Sequence, residues 1–189
     1  MQIYRHIPNS GSHPPCVLTI GNYDGIHLGH QKLINELLIN SKDSQMESAI
    51  MIFEPHPREF FTPKDAPTRI TSLREKIEYF QFKKIDRVYI VKFNIKFAHM
   101  SGNQFLLKLK NQISAKSILV GEDFRFGKNR ECGISDLLES DIKIIILKEI
   151  KNNKKRVSST HIRDALSSGD LDLANDLLGR YYSISGKVI

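Results

Sequence analysis

Gly21-Asn22-Tyr23-Asp24-Gly25-Ile26-His27-Leu28-Gly29-His30 lies between an apolar run, Val17-Leu18-Thr19-Ile20, and a segment from Gln31 to Leu38 whose apolar residues recur at helical spacing. It reads as the turn from a buried strand into a helix. The first N–H groups of a helix have no acceptor within it, and the helix dipole is positive at that end. Glycines at 21, 25 and 29 allow a ligand close to the backbone. Such a turn is an anion site, and two imidazoles, His27 and His30, stand at it; the phosphates of a nucleotide suit that chemistry. The i, i+3 spacing would also let the two rings share a metal. Zinc needs a third and usually a fourth ligand, and Cys16 and Cys132 are isolated, so no metal site is assigned.

Outward from this turn, apolar runs recur at residues 49–53, 88–91, 117–120 and 142–147, with helical patterns over 29–39, 73–82, 104–112 and 134–139. Short strands apolar on both faces, alternating with helices, predict an α/β fold: a Rossmann-like parallel sheet of about five strands with helices on both faces. Ligands in such sheets bind beyond the carboxyl ends of the strands. The first four runs are each followed by a distinctive loop: residues 21–30, Glu54-Pro55-His56-Pro57, residues 93–98 and residues 121–127. A basic loop, 151–156, follows the last run. Ser158-Ser159-Thr160 then precedes a short helical pattern over 162–166, where hydroxyls can cap the helix and leave other N–H groups for a phosphate. A second short helix is expected over 171–178, ahead of Gly179.

Composition sets outer limits. A chain of 189 residues suits one sizeable α/β domain. No run approaches the ~18 apolar residues of a membrane span, and the N-terminus has no apolar signal region. Two distant cysteines imply no disulfide framework, so a cytoplasmic protein without membrane association is expected. The net charge is +7, from 28 Lys and Arg against 21 Asp and Glu. The densest basic group, Lys148, Lys151, Lys154, Lys155 and Arg156, lacks the interleaved aromatics of a single-strand binder. The charge is read as attraction for small polyphosphates, with nucleic acid not expected as a partner. The oligomeric state is not legible.

Five segments together resemble one family. Residues 21–31 are similar to the first signature of the bacterial FAD synthetases, the FMN adenylyltransferase module of the bifunctional riboflavin kinase/FAD synthetases. Glu54-Pro55-His56-Pro57, Phe97-Ala98-His99-Met100-Ser101, Gly121-Glu122-Asp123-Phe124-Arg125-Phe126-Gly127 and Val157-Ser158-Ser159-Thr160-His161-Ile162-Arg163 resemble the second to fifth, in the family's order. Tyr23 stands where Phe is usual. The resemblance implies a nucleotidylyltransferase fold of the His-x-Gly-His type, with residues 1–178 forming the adenylyltransferase domain. Residues 179–189 then resemble the first strand of the kinase barrel, and riboflavin kinase activity is not expected from this sequence.

The implied reaction is ATP + FMN → FAD + pyrophosphate, by in-line attack of the FMN phosphate on the ATP α-phosphorus. A phosphate monoester is mostly dianionic at neutral pH and needs no general base. The enzyme must align two anions and neutralise developing charge. The resemblance thus makes His27 and His30 the catalytic donors to the phosphates, strongest as imidazolium. It assigns Gly21, Tyr23, Asp24, Gly29, Arg156, Ser159, Thr160 and Arg163 to ATP, with Gly29 admitting a phosphate. Asp24 has two readings, a hold on a metal-bound water or a turn-stabilising carboxylate. His56 likewise either meets the FMN phosphate or fixes its loop. Phe61, Phe124 and Phe126 are candidates for the flavin slot, with Asp123 at a polar edge. Mg²⁺ is expected to come with ATP, bridging phosphate oxygens. Two other readings stay open: nucleotidyl transfer to a different phosphate acceptor, and a flavin- or nucleotide-binding module without catalysis.

Overall fold

The computed structural model describes residues 1–9, 13–152 and 155–186, with the side chains of Asn152 and Lys155 left aside. Lys154 of the basic run and Lys187, Val188 and Ile189 of the terminal segment lie outside the described residues. In chain order the elements are β1 (Gln2–Tyr4), β2 (Cys16–Ile20), α1 (Leu28–Asp43), β3 (Glu47–Glu54), α2 (Pro57–Phe61), α3 (Leu73–Phe82) and β4 (Arg87–Lys92). There follow α4 (Ile95–Ala98), α5 (Gly102–Asn111), β5 (Ala115–Gly121), a 3₁₀ turn at Lys128–Arg130, α6 (Ile134–Leu138) and β6 (Lys143–Leu147). The last elements are β7 (Lys151–Asn152), β8 (Lys155–Arg156), α7 (Ser159–Ser167) and α8 (Leu171–Leu178).

Contacts divide the chain into two compact units: residues 1–22, 33–66 and 85–148 in the first, and residues 23–32, 67–84 and 149–189 in the second. The first is a parallel sheet in the order β1-β4-β3-β2-β5-β6. From β2 the chain builds one way through β3 and β4, then returns to lay β5 on the other side of β2. Right-handed crossovers therefore put α1 on one face and α5 and α6 on the other. The reversal makes a switch point between β2 and β5, where sheets of this kind receive ligands.

Both faces of the strands are buried, which is why the sequence shows unbroken apolar runs. Leu18, Ile20, Met51, Val91 and Ile118 share a cluster with Phe105, Leu109 and Leu137 from α5 and α6. The intervening Val17, Ile50, Ile52, Val88 and Leu119 are buried as well. All five expected strands form. A sixth, β1, adds a parallel edge, with Gln2 opposite Arg87 and Tyr4 opposite Tyr89. Its three residues are too few to show periodicity. The short helix α2 also went unread: Pro57 sits at its start, and His56 and Glu59 close a capping box around it.

The second unit has its own small core of Ile70, Val157, Ile162, Leu177 and Leu178, with Leu28, Leu173 and Tyr182 against it. Its basic segment is a short antiparallel hairpin of β7 and β8 rather than the expected irregular loop. The Val157 N–H closes that hairpin's base by donating to the Ile150 carbonyl at 2.9 Å. Ser158, one residue earlier than Ser159, is the N-cap of α7 and accepts from the His161 N–H at 3.2 Å. Among the described residues no helix is long and apolar enough to cross a membrane.

Candidate active site

The turn after β2 is built from unusual backbone. Tyr23 (φ 51°), Gly25 (φ 86°) and Ile26 (φ 42°) all lie in the left-handed region, which is rare for a β-branched residue such as Ile26. Asp24 holds the turn. Its Oδ1 accepts from the Ile70 N–H at 2.9 Å and the Thr71 N–H at 3.0 Å, and its Oδ2 pairs with the Arg163 guanidinium. The Asp24 carbonyl accepts from the Ser159 hydroxyl at 2.8 Å, and Thr71 Oγ1 accepts from the Gly25 N–H at 2.9 Å. One buried carboxylate thus ties together the three separate segments of the second unit. Of the two readings of Asp24, the turn-stabilising carboxylate is the one these hydrogen bonds favour.

This turn delivers His27 as the cap of α1. His27 Nδ1 accepts from the His30 N–H at 3.3 Å, which leaves the proton of the neutral ring on Nε2. The two imidazoles are stacked, with centroids 3.7 Å apart and planes 18° from parallel. Behind His30 stands Tyr23, fully buried, with its ring 5.0 Å away and Phe80 edge-on to it at 5.5 Å. The Tyr23 ring therefore packs as a wall behind His30.

Without a bound anion, the surroundings of both rings disfavour the imidazolium form. Burial, and next the charge of Arg156, push His27 down to about 4. His30 is held well below its ordinary value by burial, by His27 and by Lys76. Both rings are neutral at pH 7 in the free protein, and each donates one N–H. At Gly29 a Cβ would lie 3.1 Å from His27 Cε1 and Nδ1, so the absence of a side chain makes room for the His27 ring.

The 159–163 segment lies in the same unit. Arg163 is committed to Asp24 and, through Nε, to the Thr68 carbonyl at 2.7 Å. Ser159 is committed through its hydroxyl proton to Asp24. Thr160 is exposed at the start of α7, and Arg156 pairs with Glu149 at 2.8 Å while remaining half exposed. The free N–H groups of this first turn and the Thr160 hydroxyl are the groups best placed for an anion, with Arg163 supporting from behind.

In the first unit, Gly21 directly follows β2 and donates its N–H to the Met51 carbonyl at 3.1 Å, while Asp123 closely follows β5, where a Cβ on Gly121 would meet its Oδ1 at 3.3 Å. Both therefore stand at the switch point. Phe61, 58% exposed, ends α2 with Phe60 at 5.3 Å and Phe93 at 5.6 Å. It offers an open aromatic face. Phe126 is 6% exposed and belongs to the sheet core, stacked with the half-buried Phe124 at 5.8 Å. His56 uses Nδ1 to cap α2, accepting from the Arg58 N–H at 3.1 Å, which favours the loop-fixing reading of that atom.

Sequence reading missed two cations of the second unit: Lys76, buried on α3, and Arg180, just beyond α8. Neither belongs to one of the five motif segments. Among the described residues no cluster of three or more His, Cys, Asp or Glu is poised for a metal ion.

The FAD synthetase family pattern matches residues 9–161. A bifunctional riboflavin kinase/FMN adenylyltransferase of Buchnera aphidicola (from Schizaphis graminum) is 41% identical over 91% of this chain and 57% of its own length. That of Haemophilus influenzae is 37% identical over the whole chain and 63% of its own length. The chain thus spans about three fifths of the curated relatives it matches. Among solved structures, a Streptococcus pneumoniae protein described as a macrolide-efflux protein superposes with a TM-score of 0.83 at 27% identity, covering 96% of this chain and 72% of its own. A pantoate-β-alanine ligase of Francisella tularensis shares the fold, with a TM-score of 0.55 at 18% identity over 95% of this chain and 78% of its own. On its sequence, the chain belongs to the FAD synthetase family.

Proposed function

We propose that this chain transfers AMP from ATP to FMN, giving FAD and pyrophosphate. The observation that carries the reading is the stacked His27–His30 pair at the start of α1, joined through Asp24 to the Ser159–Arg163 segment. An FMN phosphate oxygen attacks the ATP α-phosphorus; the new P–O bond forms as the bond to the β-phosphate oxygen breaks, and pyrophosphate leaves. The FMN dianion needs no base. His27 and His30, fixed as neutral N–H donors, and the first-turn N–H groups of α1 and α7 stabilise charge building on the transferred and departing phosphates. Thr160 and Arg156 hold the leaving group. The candidate flavin contacts on the sheet unit are Phe61 and the Phe124–Phe126 pair, with Asp123 as a polar contact.

Mg²⁺ would come with ATP and would supply charge neutralisation on its phosphates, while the Asp24 carboxylate is engaged by Ile70, Thr71 and Arg163. A cytosolic setting, rich in ATP and reducing enough for free Cys16 and Cys132, suits the reading. Incubation with FMN, ATP and Mg²⁺, followed by chromatography, should yield FAD and pyrophosphate. No FAD under conditions where the protein is folded would overturn the proposal. Riboflavin with ATP, run beside it, reports the kinase reaction separately.

A further inference from the structure

We infer that Arg180 is a further phosphate-binding residue of the nucleotide site, its guanidinium held ready for an oxygen of the ATP triphosphate. The inference rests on the adenylyl-transfer reading above. Three observations carry it, all within the second unit.

The first is placement. Gln31, on the first turns of α1, donates from Nε2 to the Ile26 carbonyl at 2.9 Å and to the Leu178 carbonyl at 2.7 Å. It therefore ties the end of α8 to the start of α1. Gly179, left-handed at φ 66°, is packed so tightly there that a Cβ would lie 2.5 Å from Leu28 Cδ2. Beyond it the Tyr182 N–H donates to Asn175 Oδ1 at 2.7 Å. Arg180 thus leaves from a fixed point beside the helix start that carries His27 and His30.

The second is an unmet donor. Arg180 Nη1 is shielded from solvent and has no hydrogen-bond partner among the described residues. A guanidinium cannot shed its charge, so a buried N–H without an acceptor is left wanting an anion. Glu75, which interacts electrostatically with Arg180, supplies no acceptor to that Nη1. Glu75 Oε2 accepts from the Ser72 N–H at 2.6 Å and its hydroxyl at 2.8 Å, while Oε1 accepts from Ser185 at 2.9 Å.

The third is electrostatic company. Two guanidiniums, Arg156 and Arg180, act on His27 and disfavour its protonation. Arg156 is paired with Glu149; Arg180 has Glu75 and Tyr79 in its electrostatic surroundings, but its Nη1 finds no acceptor among the described residues. A half-buried cation beside two neutral imidazoles is a site whose missing member is negative. A phosphate meets a guanidinium fork with two parallel hydrogen bonds, which a chloride or carbonyl does not.

The test compares the wild type with R180Q and R180K, using calorimetry with α,β-methylene-ATP and with FMN, each with Mg²⁺, alongside thermal melting. R180Q should weaken the ATP analogue on the order of 10- to 100-fold and leave FMN affinity within about twofold. R180K, which keeps the charge and loses the fork, should weaken it on the order of 3- to 10-fold, and this variant decides the matter if R180Q does not fold. Unchanged analogue affinity in a folded variant overturns the inference. Equal losses for both ligands with a lowered Tm would assign Arg180 a structural role instead. A loss confined to FMN would move the contact to the other phosphate. Failure of the wild type to make FAD while it still binds the analogue through Arg180 would sink the proposed reaction and leave this contact standing.

Discussion

In the sheet unit, Leu18 sits between Ala49 and Ile118 on neighbouring strands, and apolar side chains on both faces do the holding. In the second unit the corresponding task falls to Asp24, whose carboxylate gathers two backbone N–H groups and Arg163 from segments 46 and 139 residues away. Its apolar core is a handful of residues. The contrast teaches where the chemistry went. Hydrophobic burial is non-directional and fixes a scaffold. Charge-assisted hydrogen bonds are directional and aim particular groups, here the imidazole pair and the start of α7.

The sharpest way to break this comparison is Asp24→Asn. It strands a largely buried guanidinium, and losing one partner of such a pair costs on the order of 3–5 kcal/mol. Hydrogen exchange should speed up at the Ile70 and Thr71 amides while the β2 and β3 amides keep their protection. Equal loss across both units would show that Asp24 is not local to the second.

Acid should also distinguish the units. His27 ionises near 6.5 when unfolded and is pushed down to about 4 in the fold. The unfolded chain therefore takes up the proton first, and stability falls as pH drops from about 6.5 towards 4, by about 3 kcal/mol in total. Denaturant titrations across that window should show the decline, and His27→Asn should flatten it. An undiminished slope in that variant would place the acid sensitivity elsewhere.

His30→Ala tests the chemistry rather than the fold. The kcat for FAD formation should fall on the order of 10²-fold, with FMN affinity preserved. A near-normal kcat would remove His30 from the reaction. The smallest effect is expected at Phe61→Ala, an exposed ring on the sheet unit. FMN binding should weaken by about 1 kcal/mol with no change in Tm. Unaltered FMN affinity would leave the flavin slot without this wall.

The alternation of apolar runs and helical periods was enough to predict the parallel sheet, because burial on both faces writes itself into consecutive residues. Residues 73–82 and 171–178 form helices with the bounds that their patterns suggest. The paired histidines and the 158–163 segment were equally legible, since each is a local cluster of chemistry-bearing residues. What eluded such reading depends on distance along the chain. Only folding brings Asp24 to Arg163, buries His27 deeply enough to strip its charge, puts its ring over Gly29 and turns Tyr23 and Phe126 inward. Arg180 looks like any polar residue after a helix until Gln31 pins that helix end beside the imidazoles. Pattern and local spacing reveal which groups a chain possesses; partners, solvent exclusion and charge state arise from neighbours remote in sequence, and those exist only in the folded molecule.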